Sequence, residues 1–221
     1  MRALLTTLLL SMMPFTAMAI EEPDYTLVQQ LDGAEVRQYA PYVVAQVQVA
    51  APAERAGNEA FPILAGYIFG KNKGARKLEM TAPVTQAAAP VRMDMTAPVT
   101  QSPSPGGFVV QFVLPRGITL ASAPEPLDPR VELREVPGRR IAAIRYSGFW
   151  TQENHDTHLA KLRAALGAAN LQAVGEPTLA RYNPPFTPWF LRRNEIWLEL
   201  DRGTGTVSPA PTPSSPPASS R

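Results

Sequence analysis

Any chemistry in this sequence must come from a short roster of side chains. Cysteine is absent, which removes thiolate metal sites, a cysteine nucleophile, disulfides and thiol redox steps. The only histidines, His155 and His158, stand three apart and so share one face of a helix. Without a matching Asp or Glu they make a weak metal site, and exposed helix residues are the plainer reading. No serine stands in a set with histidine and an acid, no glycine-rich phosphate loop occurs, and the H-E-x-x-H pattern is missing. Glu79 and Asp94 begin two copies of one motif, but a single acid in a pocket leaves no spacing signature. The expectation is no catalytic residue, no metal site and no enzyme. Apolar side chains offer more. Phe186, Trp189 and Phe190 crowd segment 184–190 behind Pro184 and Pro185, and three large aromatics are hard to bury in a connecting loop. Phe61, Leu64, Ala65 and Ile68 recur at helical spacing.

Two internal repeats predict the elements that must position these groups. Residues 35–49 lie over residues 132–146 without a gap, and each copy reads as strand, proline-containing turn, strand. Ala45, Val47 and Val49 alternate in step with Ala142, Ile144 and Tyr146, the period of a half-buried strand. A helical pattern follows each copy: Pro52 to Phe69, interrupted by Pro62, which implies a kink or a late start, and Thr151 to Ala169, with Thr151 as N-cap and Leu159, Leu162 and Leu166 on one face. Two strands then close each half, near Met93–Thr100 and Phe108–Leu114, and near Thr178–Tyr182 and Glu195–Leu200. A further strand, Tyr25–Leu31, is expected at an edge. The layout predicts an α+β fold of duplicated strand–strand–helix–strand–strand halves, packed as an antiparallel sheet with the helices on one side or as a barrel closed from the two halves. The second repeat is local. Glu79–Gln86 and Asp94–Gln101 share Met-Thr-Ala-Pro-Val-Thr-Gln, and two such copies are able to compete for one place in the sheet.

The 221 residues, 45% apolar and 18% charged with 24 prolines, suit one medium domain plus non-globular sequence. Residues 1–19 have the pattern of a secretory signal peptide: Arg2, an apolar run over 3–10 and Ala17-Met-Ala19 before Glu21. The expectation is export, to the periplasm if the source is Gram-negative and otherwise to the outside. No segment approaches the roughly 18 consecutive apolar residues of a membrane span. Residues 202–221 are Gly, Ser, Thr, Ala and Pro with no large hydrophobe after Val207, which predicts a disordered tail. The domain is then 20–201. It holds one more acidic than basic side chain, since Arg2, Arg202 and Arg221 fall outside it, and so it lacks the broad positive footprint that nucleic acid requires.

An ordered set of motifs spans about residues 24–201: Lys77-Leu-Glu-Met-Thr-Ala-Pro-Val84 and its second copy, Phe112-Val-Leu-Pro115, Pro129-Arg-Val-Glu-Leu-Arg-Glu-Val-Pro137, Ile144-Arg-Tyr-Ser-Gly-Phe-Trp150, Gly175-Glu-Pro177, Arg181-Tyr-Asn-Pro-Pro185 and Leu191-Arg-Arg-Asn-Glu195. Their order resembles that of the SOUL family of haem-binding proteins. The resemblance implies a distorted antiparallel β-barrel with two helices, and reversible, non-covalent binding of haem or another tetrapyrrole in an apolar cleft beside the first helix.

Haem is a flat apolar disc with two carboxylates, so its holder needs a wide apolar cleft and a basic group near the rim. The cofactor-binding candidates are Phe61, Leu64, Ala65 and Ile68 from the first helix and Arg181, Tyr182, Phe186 and Trp189 from the second half; ordinary core is the other reading of the apolar ones. Lys71, Lys73, Arg76, Lys77, Arg192 and Arg193 read equally as solvated loop or as ion pairs, such as Arg193 with Glu195. In the alignment with animal members, basic side chains occur where this chain has Asn58 and Gly66, and a lysine near Thr187. Met80, Met95, Tyr67 and Tyr182 have the chemistry to ligate iron, with core packing as their other reading, and no dedicated axial histidine is expected. The function expected is a non-enzymatic envelope carrier, buffer or scavenger of haem, with no protein partner identified. Two alternatives stay open: the same fold holding another amphipathic small molecule, or a protein-interaction module that uses segment 184–190.

Overall fold

The structure is a computed structural model that describes residues 21–74, 90–184 and 186–201. The expected signal peptide, the expected tail and the first Met-Thr-Ala-Pro-Val copy lie outside the described residues. Strands β1 (Tyr25–Gln30), β2 (Ala34–Tyr39) and β3 (Tyr42–Val49) lead into helix α1 (Ala53–Ile68), and β4 (Val99–Ser104) and β5 (Gly107–Val113) follow. Then β6 (Glu132–Val136) and β7 (Arg139–Tyr146) lead into α2 (Gln152–Ala168), with β8 (Ala173–Arg181) and β9 (Asn194–Leu200) after it. After β1, the order strand–strand–helix–strand–strand therefore occurs twice.

Burial follows the alternation of the sequence. Ala45, Val47 and Val49 of β3 pack with Val110 and Phe112 of β5 beneath the buried stripe of α1, Ala56, Ala60, Leu64, Tyr67 and Ile68. Ala142, Ile144 and Tyr146 of β7 pack with Ile196, Leu198 and Leu200 of β9 beneath Leu159, Leu162 and Leu166 of α2. Pro62 sits on the exposed side of α1, where a lost backbone hydrogen bond does not end the helix. Thr151 caps α2 as expected, its hydroxyl accepting from the Asn154 amide at 3.3 Å. Two strand limits differ from expectation. β4 starts at Val99, after Pro98, which has no N–H to donate. β8 starts at Ala173, because an irregularity between Val174 and Thr178 readmits Ala173 and Val174 to the ladder with β9. Gly175 lies within it at φ +72°, a conformation that glycine adopts without penalty.

All pairings are antiparallel, in one nine-stranded sheet of order β1-β2-β7-β9-β8-β4-β5-β3-β6. This corrects the expected barrel: the sheet is not closed. Its ends nonetheless come near each other. β2 is second from one end and β3 second from the other, and Ala40 and Pro41 alone join them; Pro137 and Gly138 join β6 to β7 in the same way. The two links touch, since a Cβ on Gly138 would lie 3.1 Å from the Tyr39 carbonyl oxygen and 3.5 Å from Pro41 Cδ. No ladder bridges the gap because the terminal strands are built as edges. β1 is exposed along its whole length, and β6 shows Glu132, Arg134 and Glu135 to solvent, charges that discourage further pairing.

Candidate functional site

One row of the ladder locates the site. Ala45 lies opposite Phe112, Phe112 opposite Val99, Val99 opposite Arg181, Arg181 opposite Asn194, and Asn194 opposite Tyr146. Directly opposed residues share a face of the sheet, so all six face the helices. Helix α1 covers the Ala45 end and α2 the Tyr146 end. Between the helices, over β4 and β8, the sheet is left uncovered, and Arg181 stands in that gap.

The gap contains a cleft of about 510 Å³ lined mainly by carbon: Phe61 and Phe69 of α1 and its C-cap, Met95, Ala97 and Val99 leading into β4, Trp150 before α2, and Tyr182, Pro184 and Phe186 after β8. Gly57, Asn58, Thr96 and Asn183 complete the wall. Its volume falls in the ordinary range for small-molecule sites, and apolar walls with few polar groups are their usual chemistry. A smaller cavity of about 190 Å³ shares Trp150 and Arg181 and opens between the starts of α1 and α2, beside Glu54 and His155.

Arg181 is the charged group of this wall. It is only 9% exposed, its guanidinium lies 4.0 Å over the Trp150 ring, and it has no hydrogen bond or ion pair among the described residues. Burial, with a smaller push from Arg192 and against a pull from Tyr146, lowers it to about 10. The Trp150 indole is held by its Nε1–H donating to Asn194 Oδ1 at 2.5 Å, and Arg192 sits 4.7 Å from the same ring.

Tyr182 links the cleft to a charged cluster on the other side of the sheet. Its hydroxyl donates to Glu195 Oε2 at 2.8 Å. Glu195 is fully buried and also accepts from Arg37 at 2.7 and 3.2 Å, from Arg193 at 2.9 and 3.0 Å and from Trp197 Nε1 at 2.8 Å. Burial acts to raise the Glu195 carboxyl, but hydrogen bonding and charge from Arg37, with Trp197 and Arg193, outweigh it and hold the group below its ordinary value. Burial beside that carboxylate pushes the Tyr182 phenol far up. Tyr182 is therefore a neutral donor committed to Glu195. Tyr67, also named for iron ligation, is buried and donates to the Pro124 carbonyl at 2.9 Å. Met95 does line the cleft, and Met80 lies outside the described residues.

The residues singled out from sequence divide. Phe61, Arg181, Tyr182 and Phe186 come together on the cleft, with Phe186 85% exposed at its rim. Leu64, Ala65 and Ile68 point instead into the core beneath α1. Trp189 is half exposed, stacked on Phe149 at 5.6 Å with Phe190 edge-on, forming an aromatic ledge apart from the cleft lining. The expected Arg193–Glu195 pair is present at 2.9 Å. His155 and His158 are half-buried rather than exposed. His155 Nδ1 lies 3.0 Å from Asp156, and His158 Nδ1 is 2.8 Å from the Asn154 carbonyl with its ring stacked on Tyr146. Gly57, Phe69, Val99 and Trp150 were not singled out as site residues from the sequence. Val99 and Trp150 carried a signal there, each inside a quoted motif.

Comparison with known proteins agrees with this architecture. The description "SOUL heme-binding protein" matches residues 20–199. Heme-binding protein 1 of Mus musculus is 28% identical over 148 residues, covering 66% of this chain and 73% of the relative; that of Sus scrofa is 26% identical over 152 residues, covering 66% and 72%. Among solved structures, the EcmrR C-terminal domain superposes with a TM-score of 0.52 at 10% identity, over 78% of this chain and 99% of that one. A hydrolase from Listeria innocua does so at 0.51 and 10%, over 79% and 94%. At such low identity these two likenesses speak for the fold alone. With a family match that runs across nearly all of the described residues, the chain belongs to the SOUL heme-binding protein family.

Proposed function

We propose that the cleft between α1 and α2 binds haem or a related tetrapyrrole, non-covalently and without catalysis. The carrying observation is the wide, carbon-lined cleft itself, which offers aromatic walls in Phe61, Phe69, Trp150 and Phe186 and one buried cation in Arg181. Membership in the family and relatives named heme-binding protein 1 support the same ligand. A flat macrocycle buries apolar area on both faces against such walls, which supplies most of the binding free energy. Reversible release fits a carrier, buffer or scavenger. With residues 1–19 as a signal peptide, that role belongs to the cell envelope, and the repeated element order stands for two copies of one unit.

Absorbance and tryptophan-fluorescence titrations with haem and with iron-free protoporphyrin, run in parallel, test the reading. Saturable 1:1 binding of both is expected, weakened about tenfold by Phe61→Ala, since a buried aromatic contact contributes roughly 1.5–3 kcal/mol, and unchanged by His155→Ala with His158→Ala. Absence of saturable binding at low micromolar concentration overturns it. The ledge of Phe149, Trp189, Phe190 and Leu191, each at least half exposed, favours a second reading in which an apolar partner docks there. Trp189→Ala then weakens partner capture and leaves the titrations unchanged.

A further inference from the structure

Among the described residues, nothing neutralises the buried Arg181 guanidinium. The other deeply buried arginine among the described residues, Arg37, is paired with Glu195 at 2.7 Å, as burial of charge ordinarily requires. Arg181 has Trp150 beneath it at 4.0 Å and, among the described residues, no acid in an ion pair with it. Leaving a cation in such a place costs free energy, and the cost is recovered when an anion arrives.

The helix beside it is shaped to leave the guanidinium there. A Cβ on Gly57 would come within 2.6 Å of Arg181 Nη1, closer than side-chain carbons stand to such atoms. Gly57 lies inside α1 at ordinary helical angles, where alanine is the better helix former. Glycine is thus unfavourable for the helix and useful to Arg181. Both residues line the large cleft.

We infer that the cleft selects its ligand by a free carboxylate, received by the Arg181 guanidinium, whose Nη1 occupies the room that Gly57 leaves, and that Gly57 is a specificity-determining residue of the site. The inference rests on the tetrapyrrole reading above and names the chemical feature that reading leaves open. The acid, rather than the metal at the centre of the ring, is what the wall discriminates. A charge-assisted hydrogen bond in a desolvated wall is stronger than a neutral one, and an ester in the same place leaves the cation unpaired.

The test titrates the whole chain with protoporphyrin diacid and with its dimethyl ester, following tryptophan quenching, for the unaltered protein and for Gly57→Ala and Arg181→Met. The unaltered protein is expected to bind the diacid about tenfold or more tighter than the ester. Arg181→Met should bring the two ligands to equal affinity, and Gly57→Ala should move the diacid toward the ester value. Arg181→Met is not expected to lower the thermal midpoint of the ligand-free protein, because it removes an unpaired buried charge, whereas Gly57→Ala sets a better helix former against the displacement of the guanidinium. Equal binding of acid and ester by the unaltered protein overturns the inference and leaves the tetrapyrrole reading standing, as does a diacid preference that survives Arg181→Met. Binding of neither ligand overturns both.

Discussion

Glu195 shows what a satisfied buried charge looks like in this chain. Its two oxygens receive Arg37, Arg193, Tyr182 and Trp197, and no solvent reaches the residue. Glu195→Ala leaves Arg37 with Glu35 alone and Arg193 with Glu22 alone, each acid partly exposed, and loss of the buried partner from such a cluster costs about 3–5 kcal/mol. Urea unfolding should register that loss, and a change below about 1 kcal/mol would contradict the reading. The pH dependence has a definite sign. A carboxyl held below its ordinary value when folded contributes stability that is present above the unfolded value of about 4.5 and is lost as pH falls toward the folded one. Urea midpoints should therefore drop as pH falls below the unfolded value, and less steeply in Glu195→Gln, which has no charge to lose.

At the scale of elements, α1 has two working faces. Leu64 lies under it, fully buried against β3 and β5, whereas Phe61, three residues earlier, is 39% exposed and looks into the cleft while touching Phe112 at 5.6 Å. Leu64→Ala should cost roughly 2–5 kcal/mol of stability, the usual price of an unfilled core site, with ligand affinity little altered in the folded fraction. Phe61→Ala should do the reverse, a small loss of stability and a large loss of affinity. Paired denaturation and titration curves separate the two, and equal effects on both curves would mean that α1 does not divide this way. The helical spacing of Phe61, Leu64, Ala65 and Ile68 was legible in the sequence, but spacing groups residues by face and does not say what each face meets. Leu64, Ala65 and Ile68 fall on the sheet side; Phe61 falls at the margin, where the uncovered middle of the sheet begins.

For the whole molecule, the open ladder sets a gradient of protection. β9 lies between β7 and β8 with nearly every residue buried, and β1 lies at an edge with every residue exposed. Backbone amides in β7 and β9 should exchange with deuterium slowest and those in β1 fastest, since local opening is easiest where few apolar contacts hold a strand. Hydrogen-exchange mass spectrometry would contradict the open sheet if β1 proved as protected as β9.

Local patterns in this chain already specified a great deal. Alternation in 45–49 and 142–146, the leucine stripe of α2, the Thr151 cap and the Arg193–Glu195 pair are consequences of side chains a few residues apart, and they reappear as the helix-covered face, the caps and the ion pair. Long-range register settled the rest. Whether the ends of the sheet join, that Arg37 meets Glu195 across 158 residues, and that Gly57, Trp150 and Arg181 share one wall all depend on how distant strands align. Apolar burial is non-directional, so a sequence pattern states that a residue will leave water without naming its neighbour; hydrogen-bonded pairing between remote strands is directional, and it exists only once the chain has folded.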